Sequence, residues 1–271
     1  MGLTVQRYTQ TAAAAAALAE QRSAKLIAGG TLVMRQVNEG NPPFDTLIRL
    51  QDPGLLQLAL RGPRWTLGAL VTMAQVLANP ALDFLHPAAK AVGGPAVRSA
   101  ATVGGNLFAP TPYGDFATAL LALEATVVVH SGRATREVTL EEFLPRRDRG
   151  GQLVSQIVIT RPPPRALRYL KVSRVHPKGL SLMTLAALLP GAPGRLQGVR
   201  VATGGMAATP GRVAAVERAL EGQPLDPKGI DRALAVAPAA VDPPSDALAS
   251  AWYRREVFPV HLKRLLLEPS P

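Results

Sequence analysis

At roughly 150 residues per domain, a chain of 271 residues is expected to form about two domains. Hydrophobic residues make up 47% and charged residues 18%, which suits a large buried core and argues against disorder as the main state. The net charge is +11, and the absence of cysteine excludes disulfides, a catalytic thiol and any zinc or iron–sulfur centre held by cysteine within this chain.

The first half alternates short strands, glycine-rich turns and short helices. Leu3–Val5 reads as a strand, and Thr11–Arg22 as an Ala-rich helix with Thr9 or Thr11 as its N-cap. Lys25–Ala28 is a β-type run that ends at Gly29-Gly30, and a helix over Thr31–Val37 is expected to follow. Asp45–Leu50 and Leu55–Leu60 read as strands. Gly62-Pro63 turns the chain into Trp65–Leu67, and the alternation on either side suits a hairpin. Thr72 caps a helix to Ala78, stopped by Asn79-Pro80. Pro87–Val92 is helical and Gly93-Gly94-Pro95 breaks it. Asp115 is expected to cap an apolar helix over Phe116–Glu124. Thr126–His130 is a β-branched strand, Glu141–Leu144 a short helix and Leu153–Thr160 another strand.

Arg161-Pro162-Pro163-Pro164-Arg165 is the clearest linker, because three prolines cannot continue a ladder. Beyond it, Leu167–Ser173, Ser181–Leu189 and Gln197–Ala202 read as a three-stranded meander. Helices over Val213–Leu220, Pro227–Ala237 and Ser245–Leu267 follow. The expected division is 1–163 and 164–271, with subdomains of about 1–52 and 53–163 in the first part.

Of the 30 basic residues, 24 are Arg and 6 are Lys. They are scattered, with short clusters only at Arg146, Arg147 and Arg149 and at Arg254 and Arg255. Binders of nucleic acid concentrate charge and interleave aromatics, and aromatics here are 4%, so the basic balance reads first as composition. The apolar run Ala12–Leu18 is flanked by charged and polar residues and does not resemble an export signal. No run of about 18 or more apolar residues exists. A cytoplasmic protein without a membrane span is expected.

Hydrolytic and metal motifs are missing from the sequence. His86, His130, His176 and His261 show no metal-ligand spacing, and there is no Gly-x-Ser-x-Gly elbow, no phosphate loop of the Walker type and no Gly-x-Gly-x-x-Gly. No catalytic residue and no metal site are assigned. Two diglycines remain, Gly29-Gly30 after a buried strand and Gly104-Gly105 between Val103 and Asn106. Glycine admits positive φ and lets a ligand approach main-chain N–H groups. Successive N–H groups form a nest for an anion. Two such loops suit a pyrophosphate, and two ordinary tight turns give the same pattern.

Three runs carry a resemblance to a known family: Ala28-Gly29-Gly30-Thr31, then Val97-Arg98-Ser99-Ala100-Ala101-Thr102-Val103-Gly104-Gly105-Asn106-Leu107, then Asp115 before Ala119–Ala125. Arg168–Val172, Gly204-Gly205-Met206-Ala207 with Pro210, Arg212 and Glu217, and Tyr253-Arg254-Arg255 extend it in order along nearly the whole chain. The sequence resembles the FAD-binding medium subunit of the molybdenum hydroxylases, the family of xanthine dehydrogenase and aerobic carbon monoxide dehydrogenase. The resemblance implies an α+β fold: an FAD-binding domain of the vanillyl-alcohol-oxidase type in two subdomains, then a small α/β C-terminal domain with a three-stranded sheet and helices. It implies non-covalent FAD, with Ile27, Ala28, Gly29, Gly30, Thr31, Leu32, Val33 and Met34 on one side of the pyrophosphate and Thr102, Val103, Gly104, Gly105 and Asn106 on the other. Asp115 is implied at the ribose or adenine end, Val92 and Leu153 along the flavin, and Lys171 near the isoalloxazine.

Leu32 stands where the family usually has Ser or Asp. The segment His176-Pro177-Lys178-Gly179-Leu180 lacks the family's Gly-Asp-aromatic pattern, and Leu180 stands where an aromatic often stacks. The implied function is an electron-transfer subunit between iron–sulfur clusters and an external acceptor. Its implied partners are an iron–sulfur small subunit and a molybdenum-binding large subunit in a dimer of heterotrimers, with molybdenum cofactor and [2Fe-2S] clusters in those partners only. Two alternatives stay open: a basic module that binds polyanions, and a family scaffold that has lost FAD.

Overall fold

The structure is a computed structural model that describes residues 2–175, 179–192 and 194–268. In chain order it begins with strand β1 (Thr4–Tyr8), helix α1 (Thr11–Glu20), β2 (Ala24–Ile27), α2 (Val33–Asn38) and β3 (Thr46–Leu50). A 3₁₀ turn over Pro53–Leu56 leads into the hairpin β4 (Leu58–Arg61) and β5 (Arg64–Gly68). Four short helices follow, α3 (Met73–Ala78), α4 (His86–Ala91), α5 (Pro95–Ala100) and α6 (Val103–Leu107), and then α7 (Asp115–Ala122). Next come β6 (Thr126–Ser131), β7 (Ala134–Thr139), α8 (Leu140–Phe143) and β8 (Gln152–Thr160). The last part holds β9 (Leu167–Ser173), β10 (Ser181–Leu188), β11 (Arg200–Gly204), β12 (Gly211–Arg212), α9 (Ala214–Leu220), α10 (Asp231–Val236) and α11 (Ala251–Leu267).

Two compact units result. The first comprises Met1–Asn79, Gly93–Ala109 and Ala125–Thr160. It contains a three-stranded parallel sheet in the order β1-β3-β2 and a five-stranded antiparallel sheet in the order β4-β5-β8-β6-β7. Helix α1 presents Ala14, Ala15, Ala17 and Leu18 to Ile48, Leu50, Leu55 and Leu153 in one buried cluster. Alanine is short enough to bring the helix close to both sets of strands.

The second unit comprises Pro80–Val92, Pro110–Glu124 and Arg161–Pro271. Its sheet is antiparallel, in the order β12-β11-β10-β9. The three expected strands are β9, β10 and β11, and the two-residue β12 adds an edge. On β10 the period of two divides the faces. Met183, Leu185 and Ala187 join a core with Val216, Leu220, Ala233, Phe258 and Leu262 of the three C-terminal helices. Thr184 points the other way and pairs with Thr118 of α7 at 2.8 Å.

Several local expectations are corrected. Neither Thr9 nor Thr11 caps α1: Gln10 is the N-cap without a side-chain bond, and Thr11 gives its N–H and hydroxyl to the Asp52 carboxylate at 3.3 and 2.6 Å. Residues 95–100 and 103–107, where no element is expected beyond the break at Gly93-Gly94-Pro95, form α5 and α6. Pro95 opens α5 at a position where a missing N–H costs nothing. The final helix starts at Ala251, capped by Ser250, and not at Ser245. Asp246 is held outside it by the fully buried Arg254, whose Nη2 lies 3.0 and 2.9 Å from the two carboxylate oxygens.

Candidate functional site

In the first unit, β2 ends at Ile27 and the chain turns through Ala28–Leu32 into α2. Gly30 lies at φ +72°, in the left-handed region that favours glycine. Its carbonyl accepts the Met34 N–H at 2.8 Å. None of the N–H groups of Gly30, Thr31, Leu32 and Val33 finds an acceptor among the described residues. Thr31 and Met34 are exposed, and α2 buries no residue. The turn therefore offers a row of accessible N–H donors, the arrangement that holds an anion.

Gly29 is constrained differently. A Cβ built there would lie 1.7 Å from Ala100 O, so its close approach is to the end of α5, two residues before Thr102. The contact brings the first diglycine turn against the chain that enters the second.

The second diglycine is not an open nest. Thr102 caps α6, and its Oγ1 accepts the Gly105 N–H at 3.0 Å. The N–H groups of Val103, Gly104 and Asn106 go to Val71 O, Ala69 O and Thr102 O at 2.8, 2.9 and 3.0 Å. All four donors from 103 to 106 are thus committed within the chain. A Cβ on Gly104 would lie 2.6 Å from Ala69 Cβ and 2.8 Å from Ala69 O. This glycine serves a packing contact between α6 and the turn that follows β5. Of the two expected sides of the cradle, the N–H donors that find no acceptor among the described residues lie on the Gly30 side. Leu153, which the resemblance implies along the flavin, is fully buried in the core beside α1.

In the second unit, α7 begins at Asp115 with Gly114 as N-cap and no side-chain capping bond. The expected capping role of Asp115 is overturned by stronger donors across the sheet. Its Oδ2 accepts from Lys171 Nζ at 2.9 Å, and its Oδ1 from Ser181 Oγ at 2.5 Å. Lys171 Nζ also donates to Ala91 O at the end of α4, at 2.9 Å, next to the half-buried Val92. Tyr169 OH donates to Asp115 O at 3.1 Å. Burial pushes the Asp115 carboxyl above its ordinary value, against the pull of the Lys171 ammonium and the Ser181 hydroxyl. Burial likewise raises the Tyr169 phenol well above its ordinary value, with Asp115 adding to it.

Asp115 and Lys171, which the resemblance implies at different ends of the dinucleotide, form one ion pair at 2.9 Å. Ser181 and Tyr169 were not singled out by sequence. Each opens or occupies an ordinary strand, and only the register of β9 on β10 brings them to Asp115. Residues 176–178 of the segment expected to depart from the family's aromatic pattern lie outside the described residues. Leu180 is 43% exposed.

The profile described as the FAD binding domain in molybdopterin dehydrogenase matches residues 2–162. The chain belongs to the FAD-binding subunits of the molybdenum hydroxylase family. A second profile, the CO dehydrogenase flavoprotein C-terminal domain, matches residues 168–269. Among relatives of this family, the chain is 28% identical to the glyceraldehyde dehydrogenase medium chain of Sulfolobus acidocaldarius, over 78% of this chain and 77% of that one. It is 26% identical to the nicotine 6-hydroxylase medium subunit of Paenarthrobacter nicotinovorans, over 99% and 98%. The fold matches a subunit of the carbon monoxide dehydrogenase of Hydrogenophaga pseudoflava with a TM-score of 0.89 at 22% identity, covering 99% and 97% of the two chains. Family membership makes the chain an FAD-binding oxidoreductase subunit, and in this family molybdenum and iron–sulfur cofactors belong to partner subunits. The donor row at Gly30–Val33 fits the diphosphate of FAD. Among the described residues, no helix is long and apolar enough to cross a membrane.

Proposed function

We propose that this chain carries non-covalent FAD and passes electrons from iron–sulfur clusters of a partner subunit to an external acceptor. Bound FAD supplies a centre that takes electrons singly or in pairs. The observation that carries the reading is the row of accessible N–H donors from Gly30 to Val33, inside the segment that matches the FAD-binding profile. These donors hold the diphosphate through charge-assisted bonds, each worth about 1.5–3 kcal/mol. Thr102–Asn106 shape the neighbouring wall without donating main-chain N–H groups. Asp115 and Lys171 act as one unit, in which the carboxylate fixes the ammonium. The partners are an iron–sulfur small subunit and a molybdenum-binding large subunit, assembled as a dimer of heterotrimers in the cytoplasm. In chain order, the FAD-binding part ends near residue 163 and the C-terminal domain begins near 164.

The test is a visible spectrum of the purified chain after incubation with FAD and desalting. Bands near about 370 and 450 nm and about one released FAD per chain are expected. A chain that stays colourless both alone and in its purified complex refutes the reading.

A further inference from the structure

In the first unit, His130 holds an irregularity of the five-stranded sheet that the FAD-binding reading does not use. Along β6 and β8, Val128 pairs with Gln156 and Val129 with Val154, so Ser155 is one residue more than β6 can match. Such a β-bulge bends its strand and re-aims the groups beside it, and bulges are over-represented next to active sites. Ser155 Oγ lies 2.9 Å from His130 Nε2, and His130 Nδ1 lies 3.0 Å from Thr135 Oγ1 on β7. Ser155 Oγ also donates to Val128 O at 3.4 Å. A hydroxyl has one proton, so with that proton on Val128 O the Ser155 oxygen accepts from the ring. The tautomer that satisfies every group carries its proton on Nε2 and accepts from Thr135 at Nδ1. Both ring nitrogens are thus engaged in fixing the bulge, and Ser155 is buried.

The bulge has a second attachment, to the turn that follows β5. Ser155 O accepts the Ala69 N–H at 2.9 Å. Ala69 O accepts the Gly104 N–H at 2.9 Å, and Val71 O accepts the Val103 N–H at 2.8 Å. In the same turn the Met73 N–H goes to Ala101 O at 2.9 Å. The start of α6 therefore takes its place from residues 69–73, and Ala69 takes its own from Ser155. The contact between Ala69 and Gly104 leaves no room for slack, since a single added Cβ would lie 2.6 Å from Ala69 Cβ. Close-packed contacts of this kind transmit a displacement instead of absorbing it.

We propose that His130 and Ser155 are positioning residues for the wall at Thr102–Asn106, which they set through Ala69 in the place that the flavin nucleotide needs. This role rests on the reading of the chain as an FAD carrier. It adds two residues, neither of which touches the nucleotide.

The test uses the full chain in four variants. His130→Leu removes both ring nitrogens, Ser155→Ala removes the hydroxyl, a double variant combines them, and His130→Gln returns an amide N–H to the place of Nε2. Circular dichroism and the melting temperature check that each variant folds. If His130→Leu does not fold, Ser155→Ala, which loses one oxygen, decides alone. His130→Leu and Ser155→Ala should each weaken FAD binding about tenfold, the weight of one hydrogen bond. The double variant should lose no more than either single one, because both remove the same link. His130→Gln should recover most of the affinity. Without FAD, the Ala69 and Gly104 N–H groups should exchange faster in His130→Leu while those of β3 keep their wild-type rates. A lower melting temperature with wild-type FAD affinity and no selective change at Ala69 and Gly104 overturns the proposal, because His130 then only stabilises the sheet. A double variant whose loss is the product of the single losses overturns it as well. A wild-type chain that binds no FAD refutes the FAD reading instead, and exchange at Ala69 and Gly104 then decides the positioning role by itself.

Discussion

Replacing Lys171 with Met keeps most of the side chain's volume and removes the charge that faces Asp115. Side-chain exposure is 16% for Lys171 and 9% for Asp115, so water screens the pair weakly. Breaking a buried pair from one side costs about 3–5 kcal/mol, because the other charge stays buried and uncompensated. The Ser181 hydroxyl still donates to Asp115, which places the expected loss near the lower bound, about 3 kcal/mol. The pH dependence follows from the direction of the carboxyl shift. Burial already holds the folded-state value above the ordinary one, and loss of Lys171 raises it further. A folded state that binds the proton more tightly than the unfolded chain is favoured below the ordinary carboxyl value. That advantage is lost as pH rises through the raised value. The deficit of Lys171→Met should therefore be largest near about pH 8 and shrink towards about pH 5. Adding Asp115→Asn should recover most of it, since a neutral amide needs no counter-charge and still accepts from Ser181. The assay is urea unfolding of FAD-free protein followed by far-UV circular dichroism, so that cofactor binding contributes nothing to the comparison. A deficit that is the same at both pH values, or a double variant less stable than Lys171→Met, refutes the electrostatic account.

Gly29→Ala should damage folding and not FAD binding alone, because its Cβ would meet Ala100 O at 1.7 Å. Gly40→Ala, with φ +97° and nothing within 4 Å of its Cβ, should cost only the left-handed strain of about 1–2 kcal/mol, and melting temperatures of the two variants compare them directly. Arg254→Met should leave Leu182 O, Pro244 O and Ala249 O without their donor and release Asp246. Hydrogen exchange should then quicken in residues 242–250 while β6 and β8 in the first unit stay protected.

Much of the fold is readable from local rules. Thr72 and Gln75 form a capping box, and both the cap and the end at Asn79-Pro80 follow from residue type. The β4–β5 hairpin follows from alternation around Gly62-Pro63. Other features depend on partners remote in sequence. Asp115 before an apolar helix looks like a cap, and its carboxylate is drawn instead to Lys171 and Ser181, which lie 56 and 66 residues away in the chain. Helices α5 and α6 are six and five residues long, too short to show a helical period, and the Gly pair in α6 lowers its intrinsic propensity. The helix exists because Thr102 caps it and Ala69 and Val71 accept its first donors.

The two diglycines show why composition alone could not divide ligand contact from packing. Glycine is required wherever a Cβ would collide, and the collision can be with a ligand or with another stretch of backbone. At Gly29 and Gly104 the atoms that forbid a Cβ belong to Ala100 and Ala69. At Gly30 the constraint is the positive φ, and the turn it permits leaves the next donors without acceptors among the described residues. One glycine in each pair therefore fixes how two segments pack. Of the two turns, the Gly29-Gly30 turn alone is followed by main-chain N–H groups that find no acceptor among the described residues. The functional content lies in where the donors end, a property of tertiary contacts that two identical dipeptides cannot encode by themselves.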